Sequence, residues 1–338
     1  MRKLTIILFF CLIAFPLISR NKAVLIGISE YPEESGWRRL SSHNDVMILS
    51  NLLSTEWDVT ILEDKRATHN GIVATLTQLA ERVTFGDTVL VHFSGHGQQM
   101  LPIIKDPAND PDMLDEAIIP YDAKKDWSAD YKGENHLRDD EFGALIDLIR
   151  QKAGIDGLVI VILILDACHS DSMQKGQDDA PDTTESYRGT SDIFGEIVSD
   201  DDIRKRYNRD TSEIRIDNNA QVVYISACQA NSKNAEITRP DGKRYGSLSF
   251  AVSEAIRNDG IKEKKSFLDA IVFSMDTLVH YQQPGIRTSF DYQKPSTLRA
   301  IDTDNSDINE PISRTRTYLF VVLGVLAMLV VIWRVKKK

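Results

Sequence analysis

The sequence predicts an α/β fold with a mainly parallel central sheet and helices on both faces of that sheet. Apolar runs alternate with amphipathic helical patterns along the chain, as they do in βαβ units. The apolar runs are continuous, which is typical of strands that are covered on both faces. With 338 residues, 42% of them hydrophobic, the chain is long enough for one large domain with attached segments.

Ten segments carry the pattern. Continuous apolar runs predict strands over 22–29, 57–62, 88–93, 158–165 and 222–226. Helical periodicity predicts helices over 46–53, 68–83, 139–152, 247–257 and 266–278. A capping box at 42–45 is expected to begin the first helix, and Thr68 is expected to cap the second.

The two ends of the chain have the composition of targeting segments. Residues 1–19 combine a basic start with an apolar run and predict a signal peptide, with an uncleaved N-terminal anchor as the alternative. Residues 317–335 predict a transmembrane helix rather than a buried core helix, because a basic tail at 336–338 follows and aromatic residues flank it. The positive-inside rule then places this tail in the cytoplasm and residues 20–300, with a polar stalk at 301–316, outside it.

Composition limits the classes of function. A formal net charge of −10 argues against nucleic acid as a partner. The three cysteines, Cys11, Cys168 and Cys228, are too few for a disulfide framework, and no CxxC pair indicates zinc. Two polar segments interrupt the pattern, an acidic stretch at 105–138 that predicts a loop and a polar insertion at 171–219.

His96 and Cys168 each follow an apolar run, so both are expected at the carboxyl edge of the sheet, where ligands bind. A thiol near an imidazole forms the core of a cysteine-nucleophile site, with His96 as general base and acid. The backbone N–H groups of Gly97 and Cys168 are candidates for an oxyanion hole. From pattern alone, a cysteine at a strand end is more often a small buried hydrophobe, and the adjacent His169 is the alternative base; His92 is interpreted as structural.

The strings HFSGHG at 92–97 and DACHS at 166–170 resemble the two signature motifs of metacaspases, a branch of the caspase-like cysteine peptidases. The string GSLSF at 246–250 resembles the start of the helix in the family's small subunit. The similarity covers residues 22–278 and implies a caspase-like three-layer sandwich, a His96/Cys168 dyad and cleavage of protein or peptide substrates. It also favours a monomer.

The resemblance further implies a preference for Arg or Lys at the P1 position of the substrate. The positions that match the family's acidic P1 pocket are Asp45, Ser94 and Asp166. Two carboxylates beside the thiol would pair with a guanidinium or ammonium group. Helix-dipole stabilisation is the alternative role for Asp45.

Calcium activation is also implied, although the chemistry requires no cofactor. The acidic pair Asp139 and Asp140 matches the family's calcium ligands, and Asp112 could supply a further oxygen. A solvated acidic loop is the alternative. Asp171 stands where the family commonly has glycine, so a carboxylate close to Cys168 could raise the pKa of the thiol.

The sequence therefore predicts a membrane-tethered, extracytoplasmic cysteine endopeptidase that acts through a thioester acyl-enzyme. An inactive caspase-like binding module and a hydrolase of another acyl substrate are the alternatives. A disulfide between Cys168 and Cys228 is a further hypothesis. Basic residues of the polar insertion are candidate self-processing points: Lys175, Arg188, Arg204, Lys205 and Arg206.

Overall fold

The computed structural model describes residues 21–101, 114–153, 160–167, 188–190, 192–195, 219–227, 234–261, 264–279 and 282–295. Eleven strands lie in these ranges: β1 Asn21–Gly27, β2 Trp57–Glu63, β3 Val89–Ser94, β4 Gly97–Met100, β5 Asp115–Ile118, β6 Leu137–Arg138, β7 Ile160–Asp166, β8 Gln221–Ser226, β9 Glu236–Thr238, β10 Arg244–Gly246 and β11 Gly285–Thr288. Five α-helices accompany them: α1 Ser42–Leu53, α2 His69–Arg82, α3 Asp139–Ala153, α4 Ser247–Asp259 and α5 Lys264–Leu278.

Six strands form the central sheet in the order β11-β8-β7-β3-β1-β2. Every neighbouring pair is parallel except β8 and β11. Alternate side chains of β1 enter two separate cores, with Val24 and Ile26 on one face and Ala23 and Leu25 on the other. This alternation explains why the strand reads as one continuous apolar run.

Helices cover both faces of the sheet and complete a three-layer sandwich. Buried side chains of α2 and α3, such as Ile72 and Ile146, join the core that contains Val24. Buried side chains of α1, α4 and α5 join the opposite core, for example Leu49, Val252 and Ile271. The predicted α/β architecture is therefore confirmed.

The register of the sheet brings polar side chains to one edge. Ser94 at the end of β3 lies opposite Asp166 at the end of β7, and Gly27 of β1 lies opposite Ser94 on its other side. Because parallel strands end at a common edge, residues that are 72 positions apart in sequence become direct neighbours. This edge carries the site described below.

The structure corrects two local predictions. The acidic stretch 105–138 is not all loop, since it contains β5 and β6, which form an antiparallel sheet with β4. Such short strands with polar residues carry little periodicity. The predicted capping box at 42–45 is also wrong: α1 begins at Ser42 without a side-chain cap, and the Asp45 carboxylate bonds elsewhere. Thr68 does cap α2, accepting a hydrogen bond from Gly71 N at 3.1 Å.

The predicted signal peptide at 1–19, stalk at 301–316 and transmembrane segment at 317–335 lie outside the described residues. Within the part of the chain that the structure describes, no helix has the length and apolar character needed to span a bilayer. Both terminal assignments remain predictions.

Candidate active site

A tight turn between β3 and β4 places His96 at the carboxyl edge of the sheet. Gly95 makes the turn feasible, because a Cβ there would lie 2.7 Å from the Phe93 ring and 2.9 Å from the Tyr31 hydroxyl. The His96 ring is buried and stacks on Trp37, with centroids 4.8 Å apart and planes inclined by 26°. The Tyr31 hydroxyl accepts a hydrogen bond from His96 N at 3.1 Å. Backbone and ring are thus both held in place.

The partners of the His96 ring determine which nitrogen carries the proton. Nε2 lies 2.9 Å from the carbonyl oxygen of Arg38. A carbonyl oxygen can only accept, so Nε2 donates and the neutral ring has its lone pair on Nδ1. This buried Nδ1 has no hydrogen-bond partner among the described residues. Burial lowers the pKa of His96 to about 4, which keeps the ring neutral at neutral pH.

Beside this edge lies a buried acidic pocket. It is formed by side chains from four parts of the chain, Asp45 of α1, Ser94 of β3, Asp166 of β7 and Glu236 of β9, all of them buried. The Ser94 hydroxyl donates to Asp45 Oδ2 at 2.7 Å. The three residues predicted to form the P1 pocket are therefore neighbours in space.

The pocket contains the guanidinium group of Arg188, whose side chain is fully buried. Its Nη2 lies 2.7 Å from Asp45 Oδ2 and 3.0 Å from Glu236 Oε1. Its Nη1 donates to the Ser94 hydroxyl and lies 3.7 Å from Asp166 Oδ1. The pocket is therefore shaped and charged to hold an arginine side chain.

Backbone groups orient the carboxylates and the backbone of Arg188. Asp166 Oδ2 accepts from Ser249 N at 2.7 Å in the first turn of α4, where the helix dipole favours a negative charge. Asp45 Oδ1 accepts from Gly246 N at 2.9 Å. The backbone N–H of Arg188 donates to the Asn234 carbonyl at 3.0 Å, so the residue is held by its main chain as well as by its side chain.

One buried cation faces three carboxylates in this pocket. Burial raises the pKa of Asp45 to about 7, against the opposing effect of Arg188. Burial lowers the pKa of Arg188, but the charges of Asp45, Asp166 and Glu236 raise it by more, so this pKa lies above its ordinary value. The guanidinium stays charged, and Asp45 can take up a proton near neutral pH.

Several predicted site residues lie outside the described part of the chain. Cys168, His169, Asp171 and Cys228 belong to this group, so the dyad, the effect of Asp171 and the Cys168–Cys228 disulfide remain predictions. Gly97 begins β4 and is buried, and its oxyanion role is likewise a prediction. His92 is buried, with Nε2 2.8 Å from Ser249 Oγ, a placement suited to a structural residue.

The proposed calcium ligands are only partly described. Asp139 and Asp140 are exposed in the first turn of α3, where the Asp139 carboxylate accepts from Asp140 N at 3.0 Å. Asp112 lies outside the described residues. Among the residues that the structure describes, no group of three or more His, Cys, Asp or Glu side chains could hold a metal ion. Calcium activation therefore stays a prediction.

Sequence reasoning missed Glu236 and Asn234. Both lie at the start of a short hairpin, β9–β10, whose three-residue strands produce no recognisable pattern. Asn234 Nδ2 donates to Asp166 Oδ1 at 2.8 Å, and Glu236 provides the third carboxylate around Arg188. The sequence offered one indication of their role, since both residues lie between the predicted fifth strand and the GSLSF string at 246–250.

Comparison with known proteins identifies relatives. The family model for the caspase domain matches residues 20–295. Metacaspase III c of Phaeodactylum tricornutum is 29% identical over 159 residues, 44% of this chain and 42% of that protein. Metacaspase-4 of Arabidopsis thaliana is 31% identical over 160 residues, covering 44% and 33%. Metacaspase-6 of the same plant is 23% identical over 270 residues, covering 75% and 63%. The chain thus aligns with less than two thirds of the length of each of these relatives.

A solved structure shares the fold. Protein GSU0716 of Geobacter sulfurreducens superimposes with a TM-score of 0.53 at 23% sequence identity. The match covers 81% of this chain and 95% of that one. At this level of identity the likeness concerns the architecture alone.

Proposed function

Because this chain belongs to the caspase-domain family, we propose that it is a cysteine endopeptidase that cleaves peptide bonds after Arg or Lys. The observation that carries the basic specificity is the guanidinium of Arg188 held between Asp45 and Glu236 in a buried pocket. An arginine side chain from a substrate would find the same partners there once Arg188 had left. A substrate aspartate would instead bring a fourth carboxylate into the pocket.

The proposed mechanism follows from the His96 tautomer. Nδ1 takes the proton of the Cys168 thiol, and the thiolate sulfur attacks the carbonyl carbon after the basic residue. Nδ1–H then gives this proton to the leaving amine as the C–N bond breaks, which leaves a thioester on Cys168. Water hydrolyses the thioester, releases the new carboxyl group and restores the thiol. Throughout these steps the Arg38 carbonyl accepts a hydrogen bond from Nε2–H and so fixes the orientation of the His96 ring.

The membrane attachment is part of the proposal and rests on sequence alone. A signal peptide at 1–19 and an anchor at 317–335 would keep the peptidase domain beside the outer face of a membrane. Its substrates would then be extracytoplasmic proteins.

The test is the labelling of Cys168 in the full chain by thiol-reactive peptide probes that end in Arg or in Asp. Charge-assisted hydrogen bonds contribute about 1.5–3 kcal/mol each, so we expect the Arg probe to react about 100-fold faster. Asp45→Asn should reduce this preference about 10-fold, because it removes one carboxylate charge from the pocket. Asp58→Asn is the matched control, since Asp58 is an exposed partner of Arg82.

Equal rates for the two probes would contradict the basic specificity. Absence of labelling with both probes would overturn the peptidase proposal and favour an inactive binding module. Peptide cleavage that survives Cys168→Ala would overturn the proposed nucleophile. A labelled Cys168 without cleavage of any peptide would instead favour another acyl substrate.

A further inference from the structure

A separate cluster of apolar and aromatic side chains lies at the β4–β5–β6 sheet. Phe194 is 3% exposed although it belongs to the polar insertion. Its ring makes an edge contact with Tyr131 at 5.7 Å and lies 4.4 Å from the His136 ring, both measured between centroids. A Cβ on Gly133 would come within 2.8 Å of the Phe194 ring and within 2.6 Å of Met100 Cε. The ring therefore fills a closely fitted aromatic pocket.

The backbone at Phe194 pairs with the edge of β4 through one parallel bridge at Met100. Phe194 N donates to the Gln99 carbonyl at 2.8 Å, and Leu101 N donates to the Phe194 carbonyl at 2.9 Å. Gly195 permits a close approach, because its φ is +150° and a Cβ there would lie 2.6 Å from the Leu101 side chain. Addition of an extended segment to a free strand edge is a general mode of peptide recognition.

A chain of hydrogen bonds from Tyr131 through His136 fixes the orientation of the Gln98 amide at this edge. Gln98 Oε1 only accepts, so His136 Nε2 donates to it at 3.1 Å, and His136 Nδ1 accepts from the Tyr131 hydroxyl at 2.9 Å. The Gln98 amide is thereby oriented with its Nε2 toward the added segment, where it donates to the Asp192 carbonyl at 3.0 Å. Burial lowers the pKa of His136 to about 3, consistent with the neutral ring that this chain of hydrogen bonds needs.

We infer that the β4 edge and the aromatic pocket form a second substrate subsite, which selects a bulky aromatic residue six positions after the basic one. This inference rests on the proposed function, because it takes Arg188 to mark the P1 position. The occupant seen here is the chain's own segment, in which Phe194 follows Arg188 by six residues. A protein substrate with the same spacing would be held at two points, with the cleaved bond between them.

An ion pair connects the segment that precedes Phe194 to the rest of the protein. Lys125 Nζ pairs with the Asp192 carboxylate at 3.2 Å, and Thr190 Oγ1 donates to the same carboxylate at 3.0 Å. The segment before Phe194 is therefore tied to the protein at Asp192 as well as at the aromatic ring. An acidic residue two positions before the aromatic one should add to binding.

The experiment measures peptide binding to a vacated site. The full chain carries Cys168→Ala to prevent turnover, together with Arg188→Ala and Phe194→Ala to release its own segment. The probe is a fluorescent peptide of residues 186–196, whose sequence is SYRGTSDIFGE. We expect it to bind at least 10-fold more tightly than the same peptide with alanine in place of the phenylalanine. Because this substitution is made in the probe peptide, it does not alter the fold of the protein.

A third peptide separates the inference from the proposed function. If the arginine-to-alanine peptide binds as tightly as the parent while the phenylalanine-to-alanine peptide is weakened, the aromatic subsite stands and the basic P1 pocket fails. If both changes weaken binding, both proposals stand. Equal affinity of the parent and the phenylalanine-to-alanine peptides overturns the aromatic subsite.

A second measurement covers the case in which the vacated chain does not fold. In the full chain with Cys168→Ala alone as background, Phe194→Ala should speed amide hydrogen exchange in residues 97–101 at least 10-fold. The matched control is Phe273→Ala, since the Phe273 side chain is 64% exposed on α5. Unchanged exchange with Phe194→Ala overturns the inference.

Discussion

Replacement of Arg188 by alanine should destabilise the protein in a pH-dependent way. The side chains of Arg188, Asp45 and Asp166 are fully buried, and that of Glu236 is 1% exposed. Removing one partner of a buried ion pair costs about 3–5 kcal/mol, because the other charge is left without compensation. We therefore expect Arg188→Ala to lower the free energy of unfolding by about this amount at pH 8.

The sign of the pH dependence follows from Asp45. Its pKa is raised in the folded protein to about 7 from 3.8, so its protonated form favours the folded state. That contribution is full below the unfolded pKa and is lost as the pH rises through the folded one. Loss of Arg188 removes a charge that lowers this pKa, so the pKa rises further. Each unit corresponds to about 1.4 kcal/mol, and the wild-type contribution is already lost above pH 7, so the destabilisation should be larger at pH 8 than at pH 5 by up to about 1.4 kcal/mol.

Urea unfolding at the two pH values measures this difference, with fluorescence of the buried Trp37 as a reporter. The chain carries Cys168→Ala so that cleavage does not interfere. Arg257→Ala is the matched control, because Arg257 is an exposed partner of Glu254 on α4 and its loss should change stability by less than about 0.5 kcal/mol. A destabilisation by Arg188→Ala that is equal at pH 5 and pH 8 would refute the reasoning.

Two further predictions concern His96 and the acidic pocket. The acid limb of the pH profile of kcat/KM should lie near pH 4 rather than near pH 6.5, because burial lowers the pKa of His96 to about 4 and only the neutral ring acts as a base. An acid limb near pH 6.5 would contradict this prediction and show that the ring is solvated during catalysis. Gly246→Ala should reduce labelling by the Arg probe at least 100-fold, since a Cβ there would lie 2.0 Å from Asp166 Oδ2 and 2.6 Å from Arg188 Nη1. Gly143→Ala is its control, because a Cβ at that position of α3 meets nothing within 4 Å and alanine should stabilise the helix by about 1 kcal/mol; equal labelling of the two variants would contradict the pocket geometry.

The central sheet was predictable because its strands are covered on both faces, which forces continuous apolar runs such as 22–27 and 89–93 into the sequence. The small sheet and the β9–β10 hairpin were not, because strands of two to four residues carry too few positions to show a period. The antiparallel edge strand β11 was missed for the same reason.

The sequence by itself determined the five parallel strands of the central sheet and the helices that cover it, and it marked His96 as a residue at the end of a buried strand. Its resemblance to metacaspases also identified Asp45, Ser94 and Asp166 as one set. Only the tertiary structure decided that Glu236 completes this set and that Arg188 fills it, and only it placed Phe194 in an aromatic pocket. The physical reason is that strand patterns reflect local burial, whereas a buried ion pair depends on which distant segments meet, as Asp45 and Arg188 do across 143 positions.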